Sequence, residues 1–391
     1  MIRKFALAIA TSLALAGSSF AQDAPPVKIG FSLAKTGLFA TATPAQLNAY
    51  QFWRDQVNEK GGLDVGGVKR KIEFVEYDDQ SNPTNAVKIY EKLITDDKVD
   101  FLLSPWGTPT HLAVVPVLER FNFPMIGSTA SSVHIRELKV KNVWFVSPSV
   151  HDKLADQLVA MAKQNNVQTA AVIGNVLPQA KEIKRFLIPA LGAAGIKVAV
   201  NEEYPPDIKD LTALLSRVKE AKPDAIFVLS YPADSVLYMR QAKEIGIEAK
   251  LQWLAIGPGL PFFRKMLGNS ANGIVTMGHW SPDQARWPLA KPFYDAYVKR
   301  FNEDPDYLDT ILAYMSCEIL EQAVAKSGTD KNKLREVIAT GTFDTIDGPV
   351  KFDGVENATT PVGFLQIQDG KFQIVWPASI ATAPFRPKTG W

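Results

Sequence analysis

The strongest constraint on this chain is a rhythm: short apolar, β-branched runs alternate with helix-length amphipathic segments, and the alternation occurs twice. "VKIGFSL" reads as a strand, "TPAQLNAYQFWRDQVNEKGG" as a helix closed by glycine, and "RKIEFVEYDD" as a strand. "NPTNAVKIYEKLITDD" follows as a helix opened by Asn82 with Pro83 at its first position. "DFLLS", a helix over about Thr110 to Phe121 and "PMIGS" complete the first series. Strands separated by helices of this length imply a parallel sheet covered on both faces.

The rhythm restarts at Thr169 with "TAAVIG", "IKVAVNEEY", "DAIFVLS" and "LQWLAIG", each followed by a helical segment. Three more helices are expected at about Trp287 to Phe301, Tyr307 to Ser327 and Lys331 to Ala339. A terminal hairpin is expected around the Asp369-Gly370 pair, a two-residue turn signal. The expected fold class is α/β, with two Rossmann-like lobes whose parallel-sheet cores are joined by three crossovers. The expected boundaries are 27–146 plus 278–343 for lobe one, and 147–277 plus 344–391 for lobe two. "NVWFVSPSVHDK" is a candidate crossover.

Residues 1–21 stand apart. Arg3 and Lys4 precede an apolar run from Phe5 to Ala16, and Ser19 and Ala21 supply small residues, the pattern of a cleaved secretory signal. The run is too short to span a bilayer. Removing Arg3 and Lys4 from 43 basic residues leaves 41 against 41 acidic, a balance with no electrostatic case for nucleic acid or anionic membrane. The lone cysteine, Cys317, lies on an apolar helix face and reads as a buried thiol.

In open parallel sheets, ligands sit beyond the carboxyl ends of the strands, where helix N-termini present free N–H groups. The loops at those ends are "AKTGLFAT", "SPWGTPT" and "GSTASS" in the first half. In the second they are "GNVLP", which contains Asn175, "SYPAD", and "IGPGLP", which contains Pro258. Thr108, Thr129 and Ser131 provide hydroxyl and N–H donors suited to a carboxylate. Phe39, Trp106 and Tyr231 suit an apolar or aromatic ligand body. One buried ring of about 150–250 Å² is worth up to roughly 4–6 kcal/mol before binding entropy is subtracted. The competing reading is that the hydroxyl residues only cap helices and that Trp106 packs under a neighbouring loop.

Catalytic chemistry is missing. The histidines at 111, 134, 151 and 279 lack metal-ligand spacing and read as surface or loop residues, no Gly-x-Ser-x-Gly elbow occurs, and "GLDVGGVKR" lacks the ending of a phosphate loop and reads as a turn before a strand. No catalytic residue, metal or cofactor is expected, which disfavours an exported hydrolase.

"VKIGFSLAKTG", "VNEKGGLDVGGVKRKIEFVEYDDQSNPTNAVKIYEKLI" and "VVPVLERFNFPMIGSTAS" resemble the extracytoplasmic solute-binding proteins of the leucine/isoleucine/valine-binding type that serve ABC importers. The resemblance covers essentially the whole mature chain, with "YDDQSNP" its most specific part. It implies a hinged, bilobed fold of the type I periplasmic-binding class that traps its ligand between lobes and hands it to a membrane permease; with the export signal, a periplasmic location is expected, and a monomer. It assigns ligand contacts to Trp106, Gly107 and Thr108, to Thr129, Ala130 and Ser131, and to Tyr231. Two positions depart from the pattern. "GNVLPQ" has Pro178 and Gln179 where a Tyr-Gly pair is common. Gly259 stands where amino-acid binders carry an acidic residue for the ligand's ammonium. That departure favours an aromatic or aryl-alkyl carboxylate over an amino acid, although Asp234 nearby is able to restore the charge. A ligand sensor for a signalling partner is the other function open to such a fold.

Overall fold

The computed structural model describes residues 24–391 apart from Ser131 and Leu138, so the expected signal segment lies outside the described residues. The first series runs β1 (Val27–Ser32), α1 (Thr43–Glu59), β2 (Leu63–Val65), β3 (Val68–Arg70), β4 (Ile72–Tyr77), α2 (Pro83–Thr95), β5 (Phe101–Leu103), α3 (Thr108–Phe121), β6 (Met125–Gly127), α4 (Val133–Glu137) and β7 (Val143–Phe145). Asn82 caps α2 by accepting the Thr84 N–H at 2.8 Å, with Pro83 at the first helical position as its fixed φ favours. The glycine-rich "DVGG" turn joins β2 to β3, with Gly66 and Gly67 both at positive φ.

The second series runs α5 (His151–Gln164), β8 (Thr169–Asn175), α6 (Pro178–Ala193), β9 (Lys197–Tyr204), α7 (Thr212–Ala221), β10 (Ala225–Leu229), α8 (Pro232–Ile245), β11 (Leu251–Leu254), α9 (Pro261–Leu267) and β12 (Ile274–Met277). The chain then forms α10 (Ala290–Phe301), α11 (Asp309–Ser327), α12 (Lys331–Thr340), β13 (Thr342–Thr345), β14 (Gly348–Asp353), β15 (Glu356–Asn357), β16 (Phe364–Gln368) and β17 (Lys371–Trp376). Asp369 and Gly370 turn the last hairpin at φ 53° and 76°, the left-handed pair that a two-residue turn requires.

Two large sheets result, in the orders β13-β14-β15-β7-β6-β5-β1-β4 and β17-β16-β12-β11-β10-β8-β9, beside the two-stranded β2-β3 ribbon. Both are parallel at the centre and antiparallel at the edge formed by the C-terminal strands. The helices α10–α12 return to the first lobe, where α11 packs on α1 and β2. The first sheet extends past the boundary expected at Phe343. The Phe145 N–H donates to Val355 O at 2.8 Å and the Asn357 amide to Val146 O at 2.8 Å, so residues 348–357 complete the edge that β7 would otherwise leave open. The third crossing therefore falls between β15 and β16.

There Gly363 O accepts the Gly278 N–H at 3.2 Å, and a Cβ on Gly363 would lie 2.9 Å from His279 Cα. Two of the three crossings thus touch backbone to backbone. Cys317 is fully buried in α11, and among the described residues no helix is long and apolar enough to cross a membrane.

Candidate functional site

The carboxyl ends of β1, β5 and β10 bring three rings together. Phe39 and Trp106 of the first lobe lie 5.1 Å apart between centroids, and Tyr231 of the second lobe lies 5.6 Å from Phe39 and 5.9 Å from Trp106. All three are buried within an apolar cluster that contains residues of both sheets. Trp106 therefore touches both the first-lobe loop that carries Phe39 and Tyr231 of the opposite lobe.

The loop carrying Phe39 is held by the segment "DDQS". Asp78 Oδ1 accepts the Lys35 N–H at 2.9 Å, Asp79 Oδ2 accepts the Ser32 hydroxyl at 2.7 Å, and Ser81 Oγ accepts the Phe39 N–H at 3.0 Å. Gln80 and Ser81 adopt positive φ to make this turn. Gly107, at φ +82°, turns the chain from Trp106 into α3, and the buried His111 ring bonds back to Gly107 O across 2.9 Å. Burial lowers the His111 pKa to about 4, so this imidazole is neutral at pH 7.

The expected donors divide. The Gly107 N–H donates to Thr129 Oγ1 at 3.2 Å, and the Thr129 hydroxyl donates to Gln46 Oε1 at 2.9 Å, so these two are bonded to protein groups. Ala130 packs into the core of the first lobe, and Ser131 lies outside the described residues. Thr108 lines an interlobe cavity of about 340 Å³ together with Ser132, Pro178 and Glu182. The N-terminus of α3 has no side-chain cap, which leaves first-turn N–H groups without intrahelical partners.

In the second lobe Asn175 and Tyr231 meet at Asp234. Its Oδ2 accepts the Asn175 amide at 3.0 Å and the Tyr204 hydroxyl at 2.8 Å, while Oδ1 accepts the Tyr231 N–H at 2.8 Å. Asp234 is fully engaged in fixing the start of α8 and holding Tyr231. Pro258 is buried in the turn after β11. The Tyr231 hydroxyl itself is buried and lacks a hydrogen-bond partner.

Two acidic residues escaped the reading of the sequence. Asp309, at the start of α11, accepts the Trp106 indole N–H on Oδ2 at 2.8 Å. Asp306 Oδ1 accepts the Leu308 N–H at 2.9 Å. A Cβ on Gly259 would stand 2.7 Å from Asp306 Oδ2, so a carboxylate does adjoin the position where none was expected, supplied by the other lobe. Burial, then the charge of Asp306, lifts the Asp309 pKa well above the ordinary carboxylate range. Burial also raises Asp306, against the backbone N–H groups that favour its anion.

The histidines depart from expectation in part, since His279 does lie in a loop, after β12. His111, His151 and His279 are fully buried, and each finds a partner: Gly107 O, Glu182 and Asp347 respectively. Only His134 is exposed. Among the described residues no group of three His, Cys, Asp or Glu is placed to hold a metal ion.

Comparison with known proteins agrees with this architecture. The family model described as "Periplasmic binding protein" matches residues 26–371. A leucine-, isoleucine-, valine-, threonine- and alanine-binding protein of Pseudomonas aeruginosa is 26% identical over 346 residues, covering 88% of this chain and 90% of its own. A branched-chain amino acid transporter substrate-binding protein from Streptococcus pneumoniae, solved with isoleucine, superposes with a TM-score of 0.79 at 22% identity, over 90% of this chain and 100% of its own. A solute-binding protein of an ABC transporter from R. palustris, solved with benzoate, gives 0.80 at 18% identity, over 93% and 98%.

Proposed function

The chain belongs to the periplasmic binding proteins of the leucine/isoleucine/valine-binding class, a solute-binding and not an enzymatic class, and from that premise we propose that it captures a small carboxylate between its lobes and delivers it to an ABC permease. The proposal includes export of the chain to the periplasm by cleavage after Ala21, and action as a monomer.

The observation that carries this reading is the meeting of Phe39 and Trp106 with Tyr231 across the lobes, beside the uncapped N-terminus of α3. A helix N-terminus stabilises an anion through its free N–H groups and dipole. The rings supply an apolar body site, the feature that favours an aromatic or aryl-alkyl acid. Benzoate and isoleucine, bound by the two structural neighbours, share a carboxylate joined to an apolar body. A ligand touching both lobes binds the closed form better than the open one, so it shifts the population toward closure.

A branched-chain or other amino acid is the second reading. It is favoured by the Asp306 carboxylate beside Gly259, which removes the reason for excluding an amine. The test is calorimetric titration of ligand-stripped protein with leucine, phenylalanine and 4-hydroxybenzoate, with mass spectrometry of any copurified small molecule. Saturable micromolar binding of any of these carboxylates supports the proposal. Binding of none of them, with no carboxylate copurifying, rejects it.

A further inference from the structure

Capture of a carboxylate at α3 leaves two buried carboxylates at the ring cluster without a task. Asp306 and Asp309 are 3% and 4% exposed. Helix capping accounts for part of this: Asp306 Oδ1 accepts the N–H groups of Leu308 and Asp309, and an acid in the first turn of α11 suits the helix dipole. A cap works equally well at the surface, however, and does not require two adjacent acids to be removed from water. Arg264, the cation whose charge reaches Asp306, is paired with Asp304.

Three further observations converge on the same spot. Asp309 holds the Trp106 indole, so its carboxylate adjoins the ring cluster directly. The Tyr231 hydroxyl is buried, has no partner and lies within reach of the Asp309 charge. The three rings meet at inclinations of 30° to 65° with centroids 5.1 to 5.9 Å apart, so Trp106 and Tyr231, which adjoin the acid, belong to one aromatic contact across the lobes. Aromatic faces attract cations, and a desolvated carboxylate does so far more strongly than one in water.

We propose that Asp309, backed by Asp306, is the counter-ion for a cationic nitrogen on the ligand, with Tyr231 Oη accepting one of its hydrogen bonds. The captured carboxylate is then a zwitterion, and its positive charge is met from α11 of the first lobe and not from the second-lobe loop around Gly259. This inference rests on the interlobe-cleft reading and narrows it.

The experiment compares matched ligands on the ligand-stripped full mature protein: phenylalanine with 3-phenylpropanoate and phenethylamine, and leucine with 4-methylpentanoate and isopentylamine. In at least one series the zwitterion is expected to bind about 100-fold tighter than its deaminated acid, the scale of removing one partner of a buried charge pair. Asp309→Asn is expected to shrink that preference to less than about 10-fold, with the circular dichroism spectrum unchanged. If Asp309→Asn does not fold, Tyr231→Phe leaves the acid pair intact and is expected to weaken the zwitterion more than the deaminated acid. Equal or tighter binding of the deaminated acid overturns the inference while the carboxylate reading stands, as does a preference that survives both substitutions. Binding of the simple amines as tightly as the zwitterions overturns the carboxylate reading and leaves the counter-ion role in place. Binding of no member of either series overturns the inference, and overturns the carboxylate reading with it when 4-hydroxybenzoate also fails to bind and no carboxylate copurifies.

Discussion

The Glu182 carboxylate of the second lobe accepts the Ser132 hydroxyl of the first at 3.0 Å, and its other oxygen accepts the Val133 N–H at 3.3 Å. The buried His151 ring pairs with the same carboxylate from within the second lobe. Near the first crossing, Arg136 bonds Asp152 at 2.9 Å, and Lys153 bonds Glu356 at 2.8 Å. These four residues repeat the bridging at a more exposed place, where screening by water and salt leaves it weaker. Glu182 is the better shielded tie between the lobes.

Glu182→Ala is therefore expected to speed ligand release by about 10-fold, since hydrogen bonds to a charged group contribute roughly 1.5–3 kcal/mol. Glu182→Gln, which keeps an acceptor for Ser132, is expected to fall between. Stopped-flow release with a displacing ligand measures both. Burial would raise the Glu182 carboxyl, yet the His151 hydrogen bond and charge, with those from Ser132 and Val133, hold it below its ordinary value. Its contribution is thus fully present above the unfolded pKa of about 4.3 and is lost as pH falls through the depressed value, so release in the wild type quickens only in strong acid.

Trp106→Ala removes both a ring wall and the donor to Asp309, and is expected to weaken ligand binding by at least about 100-fold, given roughly 4–6 kcal/mol for burial of a ring of this size. Trp106→Phe keeps a ring and loses only the N–H, with an expected loss of about 3–10-fold. Isothermal titration distinguishes the two. Equal effects of both variants would show that the indole N–H, and not the ring surface, carries the interaction.

Because the Asp309 pKa is raised, this carboxyl contributes stability that is fully present below its unfolded value of about 3.9 and is lost as pH rises through the raised one. The ligand-free protein is expected to melt at progressively lower temperature over that rise, and Asp309→Asn is expected to flatten the trend. Differential scanning fluorimetry from pH 4.5 to 8, extremes chosen as roughly bracketing a buried carboxyl, provides the measurement. A wild-type profile that matches the variant's would remove Asp309 from the account.

Gly363→Ala would bring a methyl group to 2.9 Å from His279 Cα and 3.0 Å from Gly278 O, both set by backbone that cannot rotate away. Overpacking of this kind costs about 1–3 kcal/mol. Urea unfolding is expected to show that loss, whereas Gly354→Ala, where a Cβ meets nothing within 4 Å, serves as a control in which only the left-handed backbone at φ +59° is strained.

The parallel cores were legible because the signals are local: β-branched runs, Asn82 and Pro83 at a helix start, and the Asp369-Gly370 turn each act within a few residues. The three rings were legible from a rule about sheet ends, since Phe39, Trp106 and Tyr231 each follow a strand. The destination of "GPVKFD" was not. Its alternation of buried and exposed residues fits an antiparallel strand in either lobe, and only the open edge of β7 decides between them. Asp306 and Asp309 read as ordinary helix-start acids. The available signal was α11 itself, whose length is buried almost all round, so that an acid in its first turn lies inside the protein. His151 and His279 were missed because their partners, Glu182 and Asp347, are distant in sequence, whereas the Gly107 carbonyl that meets His111 is a backbone group that no residue pattern marks.

Cys317 is the sole cysteine of the chain, sealed within α11, and burial lifts its thiol pKa well above the ordinary value. Maleimide chemistry consequently finds no native handle on the folded protein. Cysteines introduced at the solvent-facing Val68 of one lobe and Met266 of the other would accept a dye pair without background labelling, turning the molecule into its own ruler for opening and closing.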